Sequence, residues 1–298
     1  MTIQLQYMYS DVLIPTDGSE GIEGAITHGL ALAERYDATV HALSVVDVGI
    51  IKELDTNVSL LKSVRESRTE TANQATAAVQ SRSSDYDVTV VEAVREGVPA
   101  HEIVSYADEH ADLIAMGTHG RTGLGQYLLG SVTTSVVRTA TVPVLTDRLT
   151  DPPRSSDYTD ILVATDGTAG SAAAIEHAIA LARRYEATLH TLYVVDTKLG
   201  QNLPVQNVLE QDGQRAVSAV TTAAESDGVS TTEQIVSGVP HEEIRSTIEE
   251  CDVDLLVLGT HGRKGLDRLV LGSVAERLIR TVEIPVLTVR STDAADAE

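Results

Sequence analysis

The stretch Gly117–Ser131, GTHGRTGLGQYLLGS, returns at Gly259–Ser273 as GTHGRKGLDRLVLGS, and its reading decides the fold. In each copy the residues just before it (DLIAM, DLLVL) form a short apolar run, which predicts a buried strand. The glycine that follows permits a sharp turn, and a second glycine comes after two intervening residues. After nine more intervening residues, Gly130-Ser131 or Gly272-Ser273 opens a helical pattern, SVTTSVVRTA or SVAERLIRTV. A helix N-terminus offers unpaired N–H groups and partial positive charge, and a glycine there lets an anion approach the main chain. Strand, loop and glycine-led helix therefore predict a phosphate cradle, present twice.

Outward from these stretches the whole chain repeats. Asp11–Asp47 aligns without a gap onto Asp160–Asp196: DVLIPTDGS matches DILVATDGT, and ALAERYDATVHALSVVD matches ALARRYEATLHTLYVVD. GVPAHEI then matches GVPHEEI, and both copies end in a short apolar run, VPVLT or IPVLT. The polar, proline-containing segment between the copies has no periodicity and reads as a linker. Domains are expected at 1–149 and 158–292, with a linker at 150–157 and an acidic tail at 293–298.

Each copy alternates strand and helix. Strands are expected at Asp11–Pro15 and Thr39–Val46, and at Asp160–Ala164 and Thr188–Val195. Second helices are expected over Val58–Arg82 and Val208–Ser226. The alternating runs VTVVEAV and STTEQIV predict less buried third strands, near a sheet edge. Such alternation demands right-handed crossovers and a parallel sheet, so the fold class is α/β, with two tandem doubly wound domains. Ligands bind such sheets at the carboxyl ends of the strands, where strand order reverses. A reversal between strands one and four would join the TDG that follows strand one to the glycine stretch.

Composition narrows the classes of function. The 298 residues contain no Phe or Trp, so the cores are expected to be aliphatic. Acidic residues number 44 against 22 basic, and the net charge of −22 argues against a nucleic-acid partner. The same charge suits molar salt, where the Debye length is about 3 Å, and halophilic origin is the expectation. The apolar runs are too short to span a membrane and no signal-like segment opens the chain, so a cytoplasmic location is expected. The single cysteine, Cys251, lies among Glu249, Glu250 and Asp252 and reads as a small residue at a helix end.

Asp17 and Asp166 stand at the tip of strand one. An ionised carboxylate accepts two hydrogen bonds and suits the paired hydroxyls of a ribose. The competing reading is a helix N-cap, with Glu20 completing a capping box in the first copy. Ser131 and Ser273 fit a phosphate oxygen, a helix cap, or both. Arg121, Arg263 and Lys264 are near enough in sequence to meet phosphates, although loop charges are commonly only solvated. His119 and His261 lack a nucleophile and an orienting carboxylate, so they read as structural or exposed. His101 and His241 begin the third helices and are assigned no chemistry. No spacing reads as a metal site; Mg²⁺ would arrive on nucleotide phosphates.

TDGS and TDGT, the strands ending VVD, GVPxxEI and G-x-x-G-x9-G-[ST] together resemble the universal stress protein family, in its ATP-binding branch. The resemblance covers nearly all of Asp11–Asp147 and Asp160–Arg290. It implies five-stranded parallel sheets of order 3-2-1-4-5 and pairing of the two halves through strand five, with a homodimer also allowed. It further implies that Asp17 and Asp166 hold the ribose of ATP (or ADP or AMP), while Val45 and Val194 meet the adenine through their backbone. Gly117, Gly120, Gly130 and Ser131 would line the ribose and phosphates, with Thr16, Met116, Arg121 and Val132 completing the first site. The second site would use Thr165, Leu258, Gly259, Gly262, Arg263, Gly272, Ser273 and Val274. Ala164 replaces Pro15, and Lys264, Asp267 and Arg268 appear in the second loop while Gly125 is confined to the first, so unequal affinities are expected.

The leading function is a nucleotide-dependent stress-response or signalling module with unidentified protein partners, not an enzyme. The alternatives are a slow ATP hydrolase or nucleotidyl-transferring enzyme of related fold, and a scaffold with vestigial sites.

Overall fold

In the computed structural model the described residues are 8–47, 58–118, 129–148, 150, 154–198, 203–260 and 271–291. They fall into two compact units, Met1–Ser156 and Asp157–Glu298. In the first unit the strands are β1 (Asp11–Pro15), β2 (Thr39–Asp47), β3 (Val90–Gly97), β4 (Leu113–Gly117) and β5 (Val144–Asp147). Between them run α1 (Glu23–Tyr36), α2 (Val58–Arg82), α3 (Pro99–His110) and α4 (Ser131–Thr139). The second unit repeats the series with β6 (Asp160–Thr165), α5 (Ala172–Tyr185), β7 (Thr188–Asp196), α6 (Leu203–Ser226), β8 (Thr231–Gly238), α7 (Pro240–Glu250), β9 (Leu255–Gly259), α8 (Ser273–Thr281) and β10 (Val286–Val289).

The strand orders are β3-β2-β1-β4-β5 and β8-β7-β6-β9-β10, with parallel neighbours, which is the expected 3-2-1-4-5 in each unit. Helices cover both faces. α1 packs on β1, β4 and β5 and is joined to α2 by an ion pair from Arg82 Nη2 to Glu23 Oε1 (2.6 Å), while α3 packs against α4. The third strands lie at the far end of each order and contain no fully buried residue, as their weaker apolar pattern predicts.

Registers fix where the strand ends meet. β1 pairs with β4 through Val12–Leu113 and Leu13–Ile114, so the chain leaving β1 and the chain leaving β4 emerge side by side. β6 and β9 do the same through Ile161–Leu255 to Ala164–Leu258.

Two expectations need correction. Helix α6 begins at Leu203, earlier than the predicted Val208, because Pro204 is acceptable in a first helical turn and does not stop the helix. The cores are also not purely aliphatic: Tyr9, Tyr158 and Tyr193 are among the largest fully buried side chains, with Leu13, Ile14 and Leu113. Tyr9 meets Tyr36 edge-on at 5.0 Å between centroids, and Tyr158 meets Tyr185 at 4.8 Å. Tyrosine supplies the bulky aromatic volume that the missing Phe and Trp would have given.

Candidate functional site

In both units the TDG loop has the same internal wiring. The Thr16 hydroxyl accepts the Gly18 N–H at 3.1 Å, and Thr165 accepts Gly167 likewise at 3.1 Å. Asp17 Oδ1 accepts the N–H (3.0 Å) and hydroxyl (2.6 Å) of Ser19, and Asp166 Oδ1 accepts the same pair from Thr168 at 3.0 and 2.6 Å. Gly18 and Gly167 lie in the left-handed region, at φ +75° and +76°, so this position favours glycine on backbone grounds. The N-cap alternative for Asp17 is overturned. A 3₁₀ turn, Glu20–Ile22, separates the aspartate from α1, its N-cap Ser19 makes no side-chain capping bond, and the carboxylate instead folds back on its own loop.

The glycine that ends strand four does something different from turning the chain. A Cβ on Gly117 would stand 2.4 Å from the carbonyl oxygen of Gly21, and one on Gly259 would stand 2.6 Å from that of Gly170. These glycines exist because the loop leaving strand one is pressed directly against the end of strand four. This close approach is what brings the two sequence-distant motifs together in each unit.

The helix that closes the site is tied to the same point. Gly130 N–H donates to Thr118 O at 2.8 Å and Gly272 N–H to Thr260 O at 2.8 Å, so both ends of each glycine stretch meet. Gly130 and Gly272 precede α4 and α8 with extended backbone, and Ser131 and Ser273, the first residues of those helices, are exposed. In the first unit Thr133 Oγ1 also donates to Gly117 O at 2.8 Å; the corresponding residue of the second is Ala275.

Among the remaining predicted site residues, Thr16, Met116, Thr165 and Leu258 are buried at the strand ends, and Val45, Val132, Val194 and Val274 are half-buried. Gly120, Arg121, Gly262 and Arg263 lie outside the described residues, as do His119, His261, Gly125, Lys264, Asp267 and Arg268. In the second unit a cleft of about 630 Å³ opens on the α6 side of the TDG loop, lined by Asp166, Gly167, Thr168, Asp212, Arg215 and Ala216. Its guanidinium is engaged, since Arg215 Nη2 bonds Asp212 Oδ1 at 2.5 Å.

Two buried ionisable groups, Asp147 and His28, and the half-buried His177 escaped the sequence reading. Asp147, at the end of β5, is 4% exposed, and burial pushes its pKa up to about 7 against the opposing effects of the Arg148 N–H and Arg154. Its Oδ1 has no hydrogen-bond partner among the described residues and lies 3.8 Å from His28 Nε2. Burial lowers His28 to about 4, and His177, its counterpart in α5, also to about 4. Among the described residues no group of three or more His, Cys, Asp or Glu is arranged to hold a metal, and no helix is long and apolar enough to cross a membrane.

The architecture is that of two tandem doubly wound α/β domains, each bringing the loop after its first strand against the glycine that ends its fourth, where the strand order reverses. The model of the universal stress protein family matches residues 8–148 and 157–290, and the chain belongs to that family. It is 39% identical over 140 residues to a universal stress protein of Methanocaldococcus jannaschii, covering 45% of this chain and 82% of that one. Over 290 residues it is 25% identical to a universal stress protein of Mycolicibacterium smegmatis, covering 94% of this chain and 96% of the relative. A crystal structure of a universal stress protein from Archaeoglobus fulgidus shares the fold along the chain, with a TM-score of 0.74 at 22% identity, covering 97% of this chain and 99% of that one.

Proposed function

We propose that each half binds an adenine nucleotide, ATP in the first instance, and that occupancy changes what the surrounding surface presents to protein partners. The chain acts in this reading as a stress-response or signalling module and not as a committed enzyme. The observation that carries it is the meeting, in both units, of the aspartate loop with the two joined ends of the glycine stretch. Asp17 or Asp166 would take the ribose hydroxyls. The N-termini of α4 and α8, with Ser131 and Ser273, would face the phosphates, because unpaired N–H groups and the helix dipole favour an anion there. Val45 and Val194 would meet the base through their backbone, with the buried Met116 and Leu258 at the strand ends beneath the site. The glycine-stretch residues Gly120, Arg121, Gly262 and Arg263 belong to the same proposal, and Mg²⁺ would enter on the nucleotide.

The test is native mass spectrometry of the purified chain, followed by calorimetric titration. Co-purified or added ATP held by the protein supports the reading. A chain that neither retains nor binds ATP, ADP or AMP refutes it. Conversion of bound ATP to ADP at a steady rate would favour the hydrolase alternative.

The acidic composition is read as an adaptation to a cytoplasm of high salt. Cooperative unfolding that survives dialysis into low salt unchanged would count against that reading.

A further inference from the structure

A group of cations distinguishes the second unit. Thr197 N–H donates to Gly238 O at 3.2 Å, which sets Lys198, one residue past it, beside the start of α7. His241 and Arg245 lie one turn apart on α7, whose body packs against both β7 and α8, and Arg277 lies one turn beyond Ser273 on α8. Lys198, Arg245 and Arg277 are exposed, and none makes an ion pair among the described residues.

Carboxylates outnumber cations 44 to 22 in this chain, so three neighbouring cations without an ion pair leave a local excess of positive charge. Arg65, Arg82, Arg95, Arg215 and Arg280 each have a carboxylate partner. Glu242 Oε1 is 3.7 Å from His241 Nε2, beyond hydrogen-bonding distance, and Asp196 Oδ1 accepts only the backbone N–H of Lys198, at 2.9 Å. His241 Nε2 is itself buried with no hydrogen-bond partner among the described residues. Burial lowers the pKa of this imidazole, and Arg277, Lys198 and Arg245 lower it further while Glu242 opposes them. The corresponding residues of the first half are Gly49, Ala100, Val104 and Ser135, none of which ionises.

We propose that Lys198, His241, Arg245 and Arg277 form a subsite for a phosphate group beside the crevice of the second half, and that the first half has no equivalent. Lys198 comes four residues after Val194, and Arg277 follows the helix start that is expected to face the nucleotide phosphates. The subsite therefore selects a ligand with a phosphate beyond those on the glycine stretch. The 11-residue helix α7 adds the positive end of its dipole. Identification of the remainder of that ligand as a nucleotide rests on the function proposed above; the subsite itself does not.

The experiment uses the full chain and a Lys198→Gln/Arg245→Gln/Arg277→Gln variant, whose exposed substitutions leave the core intact. Each is titrated calorimetrically with inorganic pyrophosphate and, separately, with ATP at fixed ionic strength. Pyrophosphate binding should weaken about tenfold in the variant, as expected when three exposed phosphate contacts are removed. The His241 ring signals, assigned with His241→Gln, should move on binding and report a raised pKa, because the anion offsets the neighbouring cations. Absence of pyrophosphate binding, equal affinity in both proteins, or an unmoved His241 would overturn the subsite. ATP binding with any of these results removes the subsite alone. Pyrophosphate binding that needs the three cations, with no ATP binding, removes the nucleotide reading alone.

Discussion

The two halves share strand order, loop wiring and glycine contacts, yet the material beneath their crevices differs. In the first half Asp147 ends β5 and lies against Gly24, where an added Cβ would stand 1.7 Å from Oδ2. The second half has Val289 and Ala173 at these positions. A carboxylate with a glycine beside it has become an apolar side chain with a methyl beside it, so the change is paired. A similar exchange occurs under the TDG loops. Ser44 in β2 corresponds to Tyr193 in β7, which is fully buried with Val195 and Val217. Gly213 makes room for that ring, since a Cβ there would approach it to 2.6 Å. The comparison teaches that backbone geometry at the crevices was held while the chemistry behind it was free to diverge.

The sharpest way to break this comparison is Tyr193→Ala. Loss of a fully buried aromatic should cost roughly 4 kcal/mol and be confined to the second half. Hydrogen exchange resolved by segment checks this; equal loosening of both halves would show that their cores are not separate.

Acidification should come next in size. His28 and His177, each lowered to about 4 from an ordinary 6.5, give stability that is present above pH 6.5 and lost as the pH falls through 4. Asp147, raised to about 7 from 3.8, has the opposite sign: the folded half gains stability as the pH falls from 7 towards 4. In the first half these effects offset one another, whereas the second has only the loss, of roughly 3 kcal/mol. The second half should therefore open first between pH 6 and 4. Asp147→Val should stabilise the first half above pH 7 and make it as acid-sensitive as the second, which thermal unfolding across that pH range would register.

Smaller effects are expected at the crevices. Gly130→Ala and Gly272→Ala would place a Cβ 3.3 and 3.1 Å from the facing threonine carbonyl, a mild crowding of the backbone. Calorimetry should find ATP affinity reduced in both variants by unequal factors, and equal losses would contradict the expected inequality of the sites. Thr133→Ala, which copies Ala275, should cost about 1 kcal/mol by leaving Gly117 O without that donor. The reciprocal Ala275→Thr should cost the second half nothing comparable in a chemical-denaturation midpoint.

The fold was legible because its signals are local and repeated. Apolar runs of strand length, helical spacing and the fixed glycine pattern all recur, and alternation of strand with helix leaves few topologies. The aspartate loop could be singled out along the chain but its conformation could not: the sequence TDGSE fits a cap and an aspartate turn equally, and only the 3₁₀ turn before α1 separates them. Gly117 shows the same limit, because a glycine needed for a turn and one needed for close approach look alike along the chain.

By itself the sequence determined two domains, their parallel sheets and the repeated motifs that follow strands one and four, since these follow from periodicity and from residues near one another in the chain. Only the tertiary structure decided which glycines admit a neighbour, that Asp147 is buried with one oxygen unpaired among the described residues, that a tyrosine fills the second core, and that the segments carrying Lys198, His241 with Arg245, and Arg277 pack together. Burial and the local electrostatic field depend on what packs against a residue, and those neighbours come from distant parts of the chain.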